Sequence, residues 1–424
     1  MERAAILEVL ADQRKIRFPK EGIERECFRD FQLKEKNPFV QIFSGVRRCG
    51  KSMTMQWIRE QAAEKDYYLD FDDERLIDFQ LEDFQKLYEI FLENFGEQKT
   101  FYFDEVQNVK GWERFVRRLH SQGNKIYITG SNASLLSREL GTHLTGRYTA
   151  AEIYPFSFRE YLRFLRHDFD KPDFLTSSQR AQIKKHFSAY RTDGGFPEYL
   201  TTKKSDYLKQ LYENIIYKDI LVRYKLPHEH PLRELALHSA SNIGKTISYN
   251  QMKGLLGLGS ATTIKEYLSY FENSFLFFSL NKFDYSLKKQ IYAPKKVYCI
   301  DNGLAGEIGF RFSQDAGRYL ENLVFIELRR KRKKIYYHQN KNECDFIIQQ
   351  GNKITEAIQV SSTLGSALTR DREVKGLCEA LETHGLKHGL ILNDHEEGEE
   401  QILVAGKKRT IRILPVWKWL IGGD

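Results

Sequence analysis

The stretch Gly45-Val46-Arg47-Arg48-Cys49-Gly50-Lys51-Ser52 decides how the first part of this chain folds. It fits the pattern G-x-x-x-x-G-K-[ST], in which backbone N–H groups of a loop and of the following helix N-terminus hold phosphate groups. The pattern is informative only between a strand and a helix. Residues 38–44 are rich in apolar side chains and predict a buried strand, and residues 53–60 predict a helix. The stretch therefore predicts a phosphate-binding loop.

The same pattern assigns roles to individual side chains. Lys51 is expected to reach the outer phosphates of a nucleotide, and the Ser52 hydroxyl is expected to lie on Mg²⁺. The predicted ligand-binding residues are Gly45, Val46, Arg47, Arg48, Cys49, Gly50, Lys51, Ser52 and Met53.

Length and composition limit the class of protein. The chain has 424 residues, of which 41% are hydrophobic and 29% are charged, a balance typical of globular proteins with about two to four domains. No apolar run approaches the roughly 20 residues of a membrane span, so we expect no membrane contact. The first residues predict an ordinary helix rather than a secretion signal. Five scattered cysteines fit reduced thiols and a cytoplasmic location better than disulfides or a zinc site.

The pattern of apolar residues divides the chain into regions. From residue 38, short apolar strands alternate with helices, with strands predicted at 39–44, 66–71, 100–103 and 125–129, which favours a parallel sheet covered on both faces. Residues 157–240 are strongly helical. Residues 247–271 predict a helix-turn-helix, followed by an aromatic strand pair at 275–285, and from 291 strands and helices mix again. We therefore expect domains at 1–160, 161–235, 236–290 and 291–424.

Two acidic residues follow the strand at 100–103. Asp104 and Glu105 stand at the carboxyl end of a parallel strand, where side chains point into the ligand crevice. Asp104 is expected to hold Mg²⁺, and Glu105 to polarise the attacking water. The alternative is that the pair only caps the next helix. The phosphate-binding loop about fifty residues earlier favours the catalytic interpretation.

Polar and basic residues follow the next strand. Ser131 or Asn132 is expected to contact the γ-phosphate or the water, although both residue types are also common helix N-caps. Arg147, and less strongly Arg138, is a candidate for the arginine that stabilises transition-state charge, from the same chain or from a neighbouring one. The alternative for each arginine is an ordinary surface ion pair.

Here the sequence resembles prokaryotic AAA+ ATPases in which an AAA-14-like domain precedes a DUF4143-like region. Besides the phosphate-binding loop, the matching motifs are Phe71-Asp72-Asp73-Glu74-Arg75-Leu76, Phe103-Asp104-Glu105-Val106-Gln107, Thr129-Gly130-Ser131-Asn132, Leu144-Thr145-Gly146-Arg147, Tyr154-Pro155-Phe156-Ser157-Phe158-Arg159-Glu160, Gly194-Gly195-Phe196-Pro197-Glu198, Tyr217-Lys218-Asp219-Ile220 and Val297-Tyr298-Cys299-Ile300-Asp301-Asn302-Gly303-Leu304. The resemblance implies an α/β protein: a P-loop AAA+ parallel sheet with a helical lid, a winged-helix domain and a restriction-endonuclease-like C-terminal domain. It implies ATP and Mg²⁺ as ligands.

The C-terminal region departs from what an endonuclease-like core requires. Asp345 stands where the first metal-binding acid is expected, and Glu321 on the preceding helix could add a carboxylate. Gln359 and Ser361, however, occupy the positions of the second acid and the lysine that activates water. Glu356 lies three residues earlier and on the opposite strand face. We therefore expect a degenerate nuclease fold that serves as a binding platform.

The remaining predictions concern partners. The run Arg329-Arg330-Lys331-Arg332-Lys333-Lys334 is a candidate contact for double-stranded DNA, although most charge runs are solvated helix ends. The net charge of +8 is compatible with nucleic acid but too small to establish it. The sequence thus favours an ATPase that switches its appended domains, with a protein partner or a homo-oligomer as further possibilities. The alternatives are a nucleotide-gated binding module with little turnover and an ATP-regulated nuclease.

Overall fold

The computed structural model describes residues 1–15, 22–30, 39–131, 146–167, 175–310 and 316–422. These residues form two compact units. Met1–Tyr154 and Asn273–Phe275 belong to the first, and Pro155–Glu272 and Leu276–Asp424 belong to the second. The domain boundaries expected at 160, 235 and 290 stay predictions.

The first unit is built on a parallel sheet. Its strands are β1 (Val40–Ser44), β2 (Tyr68–Asp70), β3 (Thr100–Asp104), β4 (Lys125–Gly130) and β5 (Tyr148–Glu152). Its described helices are α1 (Arg3–Lys15), α2 (Cys27–Asp30), α3 (Lys51–Glu60), α4 (Asp83–Phe95) and α5 (Trp112–Ser121). The strand order is β2-β3-β4-β1-β5, and each pair runs parallel. The predicted α/β class with a P-loop sheet is confirmed.

Apolar and aromatic side chains explain why this sheet forms. Every residue of β1 is buried, as expected for a parallel strand covered by helices on both faces. Aromatic rings from the strands and helices share one core, in which Phe84 of α4 stacks on Phe115 of α5 with ring centroids 4.6 Å apart. Such aromatic pairs contribute about 1 kcal/mol beyond the area they bury. The core holds the strands that carry the predicted site in fixed positions.

The order of the strands brings separate parts of the sequence together. β4 lies between β1 and β3, although it follows both in the chain. Because these strands are parallel, their carboxyl ends share one edge of the sheet. The loop after β1, the acids after β3 and the polar residues after β4 therefore meet at that edge.

The second unit combines helices with two sheets. Its described helices are α6 (Phe158–Phe164), α7 (Ser177–Asp193), α8 (Pro197–Thr202), α9 (Tyr207–Asn214), α10 (His230–Ser241), α11 (Tyr249–Leu255), α12 (Ala261–Asn273), α13 (Leu287–Tyr292), α14 (Asn302–Ile308), α15 (Ala316–Arg330), α16 (Ala367–Thr383) and α17 (Val416–Gly422), with a π-helical segment at Ile215–Val222. Its strands are β6 (Thr246–Ile247), β7 (Phe277–Leu280), β8 (Lys295–Cys299), β9 (Lys334–Gln339), β10 (Glu343–Gln350), β11 (Lys353–Val360), β12 (His388–Asn393), β13 (Gly398–Val404) and β14 (Lys407–Pro415). None of the helices in the described ranges has the length and apolar composition of a membrane span.

The two sheets of this unit differ in character. The small sheet has the order β6-β8-β7 and is antiparallel. The large sheet has the order β13-β14-β12-β11-β10-β9, with a parallel centre of β11, β12 and β14. Helix α16 covers the large sheet through Leu377, Ala380 and Leu381, which belong to its core. The second unit is therefore mixed α/β.

One predicted element of the second unit is wrong. The strand pair expected over 275–285 does not form, because β7 ends at Leu280 and pairs with β8 instead. Phe283 packs edge-on against Tyr336, with centroids 5.4 Å apart, as part of the large sheet's core environment. Phe283, which suggested a second strand, is thus used to pack this connection onto another sheet, whereas Tyr285 is exposed.

A buried aspartate fixes a glycine turn in this unit. Asp301 accepts hydrogen bonds from the backbone N–H of Gly195 at 2.6 Å and of Leu304 at 3.0 Å. Burial raises the pKa of Asp301 to about 6. Gly194 has φ of +76°, and a Cβ there would lie 2.0 Å from Asp301 Oδ1. The position therefore requires glycine both for its backbone and for the carboxylate beside it.

We expect Gly194→Ala to lower the free energy of unfolding by about 3 kcal/mol, through left-handed strain plus the clash with Asp301. The control is Gly406→Ala, where φ is +74° but no heavy atom lies within 4 Å of the added carbon. That variant should cost only about 1 kcal/mol. Urea unfolding followed by circular dichroism measures both. Equal losses would show that the contact with Asp301 adds nothing.

Candidate functional site

The phosphate-binding loop connects β1 directly to α3. Its first glycine is required by close approach, because a Cβ on Gly45 would lie 2.1 Å from the carbonyl oxygen of Ile153. Its second, Gly50, has φ of +101° and immediately precedes the helix. Val46 and Cys49 are buried, and burial raises the pKa of the Cys49 thiol. The loop therefore has the strand–loop–helix setting that the motif requires.

Four of the predicted residues come together at this loop. The Lys51 ammonium donates to the Val46 carbonyl oxygen at 3.3 Å and lies 3.5 Å from Glu105 Oε1. The Ser52 hydroxyl donates to Asp104 Oδ1 at 3.1 Å. Lys51 is only 5% exposed and Asp104 only 1%. The side chains predicted to bind phosphate, metal and water thus form one cluster, in which Lys51 and Asp104 are buried and Ser52 and Glu105 are half-buried.

The end of β4 completes the cluster. The Thr129 hydroxyl donates to Asp104 Oδ1 and accepts from the Glu105 N–H at 3.1 Å. The Ser131 N–H donates to Glu105 Oε2 at 3.2 Å. Within the described part of the chain, the buried Ser131 Oγ has no hydrogen-bond partner. Because buried hydroxyls are nearly always paired, this atom points to a ligand group that binds beside it.

The backbone at Glu105 orients its carboxylate. Glu105 has φ of +47° and ψ of +38°, a left-handed conformation that is uncommon for a residue with a side chain. Such conformations persist where the surroundings hold them, and they are frequent at functional sites. Here the Gln107 amide and the Ser131 N–H hold the carboxylate. The turn places the Glu105 carboxylate beside Ser131, directly after the carboxyl end of β4.

The carboxylates have shifted acidities. Burial and the charge of Glu105 raise the pKa of Asp104 to about 6. Burial by itself would raise the pKa of Glu105, but the Lys51 ammonium and the Gln107 amide outweigh it and lower that pKa. Asp70, which pairs with Asp104 across β2 and β3, has its pKa raised to about 7 by burial and by the charge of Asp104. The site holds negative charge that a bound cation would relieve.

These residues fit a nucleotide and its Mg²⁺. A hydroxyl and a carboxylate oxygen, on Ser52 and Asp104, are the hard oxygen ligands that Mg²⁺ prefers. The raised pKa of Asp104 is consistent with a carboxylate that binds a cation, and the unpartnered Ser131 hydroxyl is consistent with a group that donates to a ligand. Lys51 supplies a positive charge for phosphate beside them.

Met53 directly follows the loop in the first turn of α3 and is half-buried, and its predicted role in ligand binding stays a prediction. Arg147 precedes β5 beside Val40, whose N–H donates to its carbonyl at 3.0 Å, at the amino end of the parallel strands. Four residues of β1 then separate it from Ser44, about 13 Å at the usual rise. The strand register thus places the Arg147 backbone at the end of the sheet opposite the phosphate-binding loop, and its role as the candidate arginine stays a prediction.

Action of Arg147 from a neighbouring subunit stays a prediction. Asn132 and Arg138 lie outside the described residues.

The structure adds Arg25, which the sequence did not indicate. Its guanidinium donates to the carbonyl oxygens of Cys49, at 3.0 Å, and of Tyr154, at 2.5 Å. It is 6% exposed, and it lies near the start of α2, where Phe28 stacks on Trp57 of α3 with centroids 4.3 Å apart. Arg25 therefore ties the phosphate-binding loop to the chain after β5. Its partners are backbone atoms far away in sequence, so no local pattern reveals it.

Asp70 and Thr129 were also not assigned roles. Both lie at or next to the carboxyl end of a strand in the same parallel sheet, as Asp104 does. Their positions at strand ends are the same signal that indicated Asp104.

The basic run at 329–334 is largely engaged within its own unit. Arg329 lies over the Phe278 ring at 4.2 Å, and Lys331 over the Trp419 ring at 5.0 Å. Arg330 donates to the Pro155 carbonyl oxygen at 3.0 Å, and Lys333 pairs with Glu356 at 3.1 Å. These contacts give the run a packing role that its charge alone does not predict.

We expect Arg25→Ala to weaken nucleotide binding about tenfold. Loss of two charge-assisted hydrogen bonds costs roughly 2 kcal/mol. Part of this energy holds the phosphate-binding loop in the conformation that binds nucleotide, so its loss lowers the affinity. Titration with a fluorescent ATP analogue measures the affinity. Arg117→Ala, an exposed arginine on α5, is the matched control. Unchanged affinity in Arg25→Ala would contradict the bracing role.

We expect the gain in nucleotide affinity that Mg²⁺ provides to fall about fourfold between pH 7.5 and pH 5.5. Asp104, with a pKa of about 6, is almost fully ionised at the higher pH and mostly protonated at the lower, and only the ionised form attracts a cation. Calorimetric titration with and without Mg²⁺ measures the gain. In Asp104→Asn the change with pH should be smaller, since only protonation of the nucleotide is left. An identical pH dependence in both proteins would exclude Asp104.

Comparison with known proteins identifies the family. An AAA domain of the AAA-14 type matches residues 37–162, and two domains of unknown function, DUF8612 and DUF4143, match residues 184–315 and 316–418. The uncharacterized protein MJ1544 of Methanocaldococcus jannaschii is 34% identical over 407 residues, which cover 92% of this chain and 90% of that protein. An uncharacterized protein of Haemophilus influenzae is 34% identical over 336 residues, which cover 74% of this chain and 81% of that protein. The chain belongs to the same family as these proteins, with the AAA-14 and DUF4143 architecture that its motifs predicted.

Proposed function

We propose that this protein binds ATP together with Mg²⁺ and hydrolyses it. The observation that carries the proposal is the convergence of Lys51, Ser52, Asp104 and Glu105 at one edge of a parallel sheet, beside the unpartnered Ser131 hydroxyl. The match to an AAA domain supports nucleotide binding. The proposal of hydrolysis goes beyond nucleotide binding, and it rests on the position of Glu105.

The proposed roles follow from position and charge. The loop N–H groups and Lys51 bind the phosphates, while Ser52 and Asp104 hold the cation. Mg²⁺, when bound, neutralises charge on the phosphates. Ser131 donates its hydroxyl to a phosphate oxygen or to the water. Glu105 orients the water that attacks the γ-phosphorus in line, and catalysis comes mainly from positioning and charge stabilisation.

The contact between Lys51 and Glu105 makes the basicity of Glu105 depend on nucleotide binding. At 3.5 Å, the ammonium is one of the causes that lower the pKa of Glu105. A phosphate group that draws Lys51 toward itself removes part of that effect, so the pKa of Glu105 rises. Glu105 thereby becomes a better proton acceptor only when substrate is bound. Without nucleotide, the carboxylate is held by the lysine.

Double-stranded DNA is the partner that we propose to test. Helices α11 and α12, followed by β7 and its partner β8, occur in the order expected for a winged helix. The basic run contributes less to this proposal than its sequence suggested, because much of it packs within the unit. The ATPase rate with and without duplex DNA, on protein of known mass in solution, tests the partner. A nucleotide-gated binding module would show tight ATP binding and negligible turnover under both conditions.

We expect Lys51→Ala to lose nucleotide binding, and Glu105→Gln to keep it within about threefold while turnover falls by about 100-fold or more. The reason is that Lys51 contacts phosphate in the ground state, whereas Glu105 acts on the water. Phosphate release and analogue titration measure the two properties. Glu97→Gln, an exposed glutamate of the same unit, is the control. Normal turnover in Glu105→Gln would overturn the role assigned to Glu105.

A further inference from the structure

The second unit contains a buried charge cluster that the ATPase proposal does not use. The resemblance to restriction-endonuclease-like folds implies a metal-binding site near Asp345. In the structure, Asp345 of β10 and Glu321 of α15 lie together with Lys296 of β8, which is 2% exposed. Sequence reasoning missed Lys296, because it looked for the lysine two residues after an acid on β11.

The ammonium of Lys296 is at the centre of this cluster. Its nitrogen lies 2.9 Å from Asp345 Oδ1, 3.1 Å from Glu321 Oε1 and 2.7 Å from Glu343 Oε1. The ammonium donates hydrogen bonds to Asp345 and Glu321, and it forms an ion pair with Glu343, whose side chain is partly exposed. Burial by itself would lower the pKa of Lys296, but the charges of Asp345 and Glu321 outweigh it and raise that pKa. The group is therefore a permanent cation.

The carboxylates have further internal partners. Asp345 Oδ2 accepts from the Val360 N–H at 3.0 Å, and Glu321 Oε1 accepts from the Tyr298 hydroxyl at 2.7 Å. Burial and the charge of Asp345 raise the pKa of Glu321 to about 7, so part of its negative charge is already neutralised near neutral pH. Oxygen atoms that a metal would need are thus engaged by donors of the protein itself.

The positions of the missing nuclease residues are also engaged. The side-chain Oε1 of Gln359 accepts from the Asp345 N–H at 3.2 Å, and its side-chain Nε2 donates to Glu373 Oε2 at 2.6 Å. The Ser361 hydroxyl donates to the Thr363 carbonyl oxygen at 2.9 Å. An amide in this place adds no charge to a metal site, and the serine cannot activate water as a lysine does. The donor set therefore does not fit the metal that the fold family implies.

We propose that the ammonium of Lys296 is the resident cation of this cluster, in the place that a divalent metal would take. The cluster is then a structural ion-pair network whose cation belongs to the protein itself. It ties β8 of the small sheet to α15 and to β10 of the large sheet, and it leaves no metal-dependent cleavage site there. This inference does not depend on ATP hydrolysis, and nucleotide-free protein tests it.

The test is a titration with Tb³⁺, an ion that binds oxygen ligands as Ca²⁺ does and that luminesces when a nearby tyrosine absorbs light. Tyr298, in contact with Glu321, is the sensitiser. Wild type and Asp345→Asn should respond alike. Lys296→Met should gain a Tb³⁺ site, because three carboxylates then lack a cation. Its apparent Kd should be at least about tenfold lower than that of any Tb³⁺ binding by wild type. Lys296→Met combined with Asp345→Asn should lose that site.

Two outcomes would overturn the proposal. One is Tb³⁺ or Mn²⁺ binding by wild type that Asp345→Asn abolishes, which would make the cluster a metal site that includes a lysine. The other is a folded Lys296→Met protein that gains no site. If Lys296→Met does not fold, the comparison of wild type with Asp345→Asn still decides. Plasmid DNA incubated with wild type and Mn²⁺ should stay as intact as with Asp345→Asn.

Discussion

The candidate site depends on one buried carboxylate. Asp104 accepts hydrogen bonds from the Ser52 hydroxyl, at the start of α3, and from the Thr129 hydroxyl, near the end of β4. It thereby links the three segments that follow β1, β3 and β4. A charged group that is 1% exposed is stable only with such partners, and its raised pKa shows that two hydroxyls do not fully compensate for lost water. The sheet order β3-β4-β1 makes this arrangement possible, because it places β4 between the other two strands.

Sequence reasoning succeeded where the signal is local. The loop from Gly45 to Ser52 carries its glycines and lysine within eight residues, and the acids at 104 and 105 directly follow an apolar strand. It could not reach features that the strand register or a distant partner decides. Only the pairing of Val40 with Tyr148 shows at which end of the sheet Arg147 lies. Arg25 binds backbone carbonyls at positions 49 and 154, and backbone atoms leave no pattern in a sequence.

The fold was predictable to a similar extent. Strands β1, β3 and β4 are buried on both faces, so their apolar runs stand out. The sequence does not predict the connection after β7 correctly, because Phe283 suits a strand as well as it suits packing against a neighbouring sheet. Lys296 was overlooked for a related reason. A side chain from a third element can fill a position that a motif assigns to its own strand, and only the folded structure shows the substitution.

The two buried acid clusters answer the same electrostatic problem in different ways. At the Asp104 site, Lys51 lies 3.5 Å from Glu105 Oε1, and we propose that it contacts a phosphate group when nucleotide binds. At Asp345, the cation is Lys296, whose ammonium lies within 3.1 Å of three carboxylates. The surroundings of the lysine therefore distinguish the two sites: Lys51 follows a phosphate-binding loop, whereas Lys296 lies among three carboxylates.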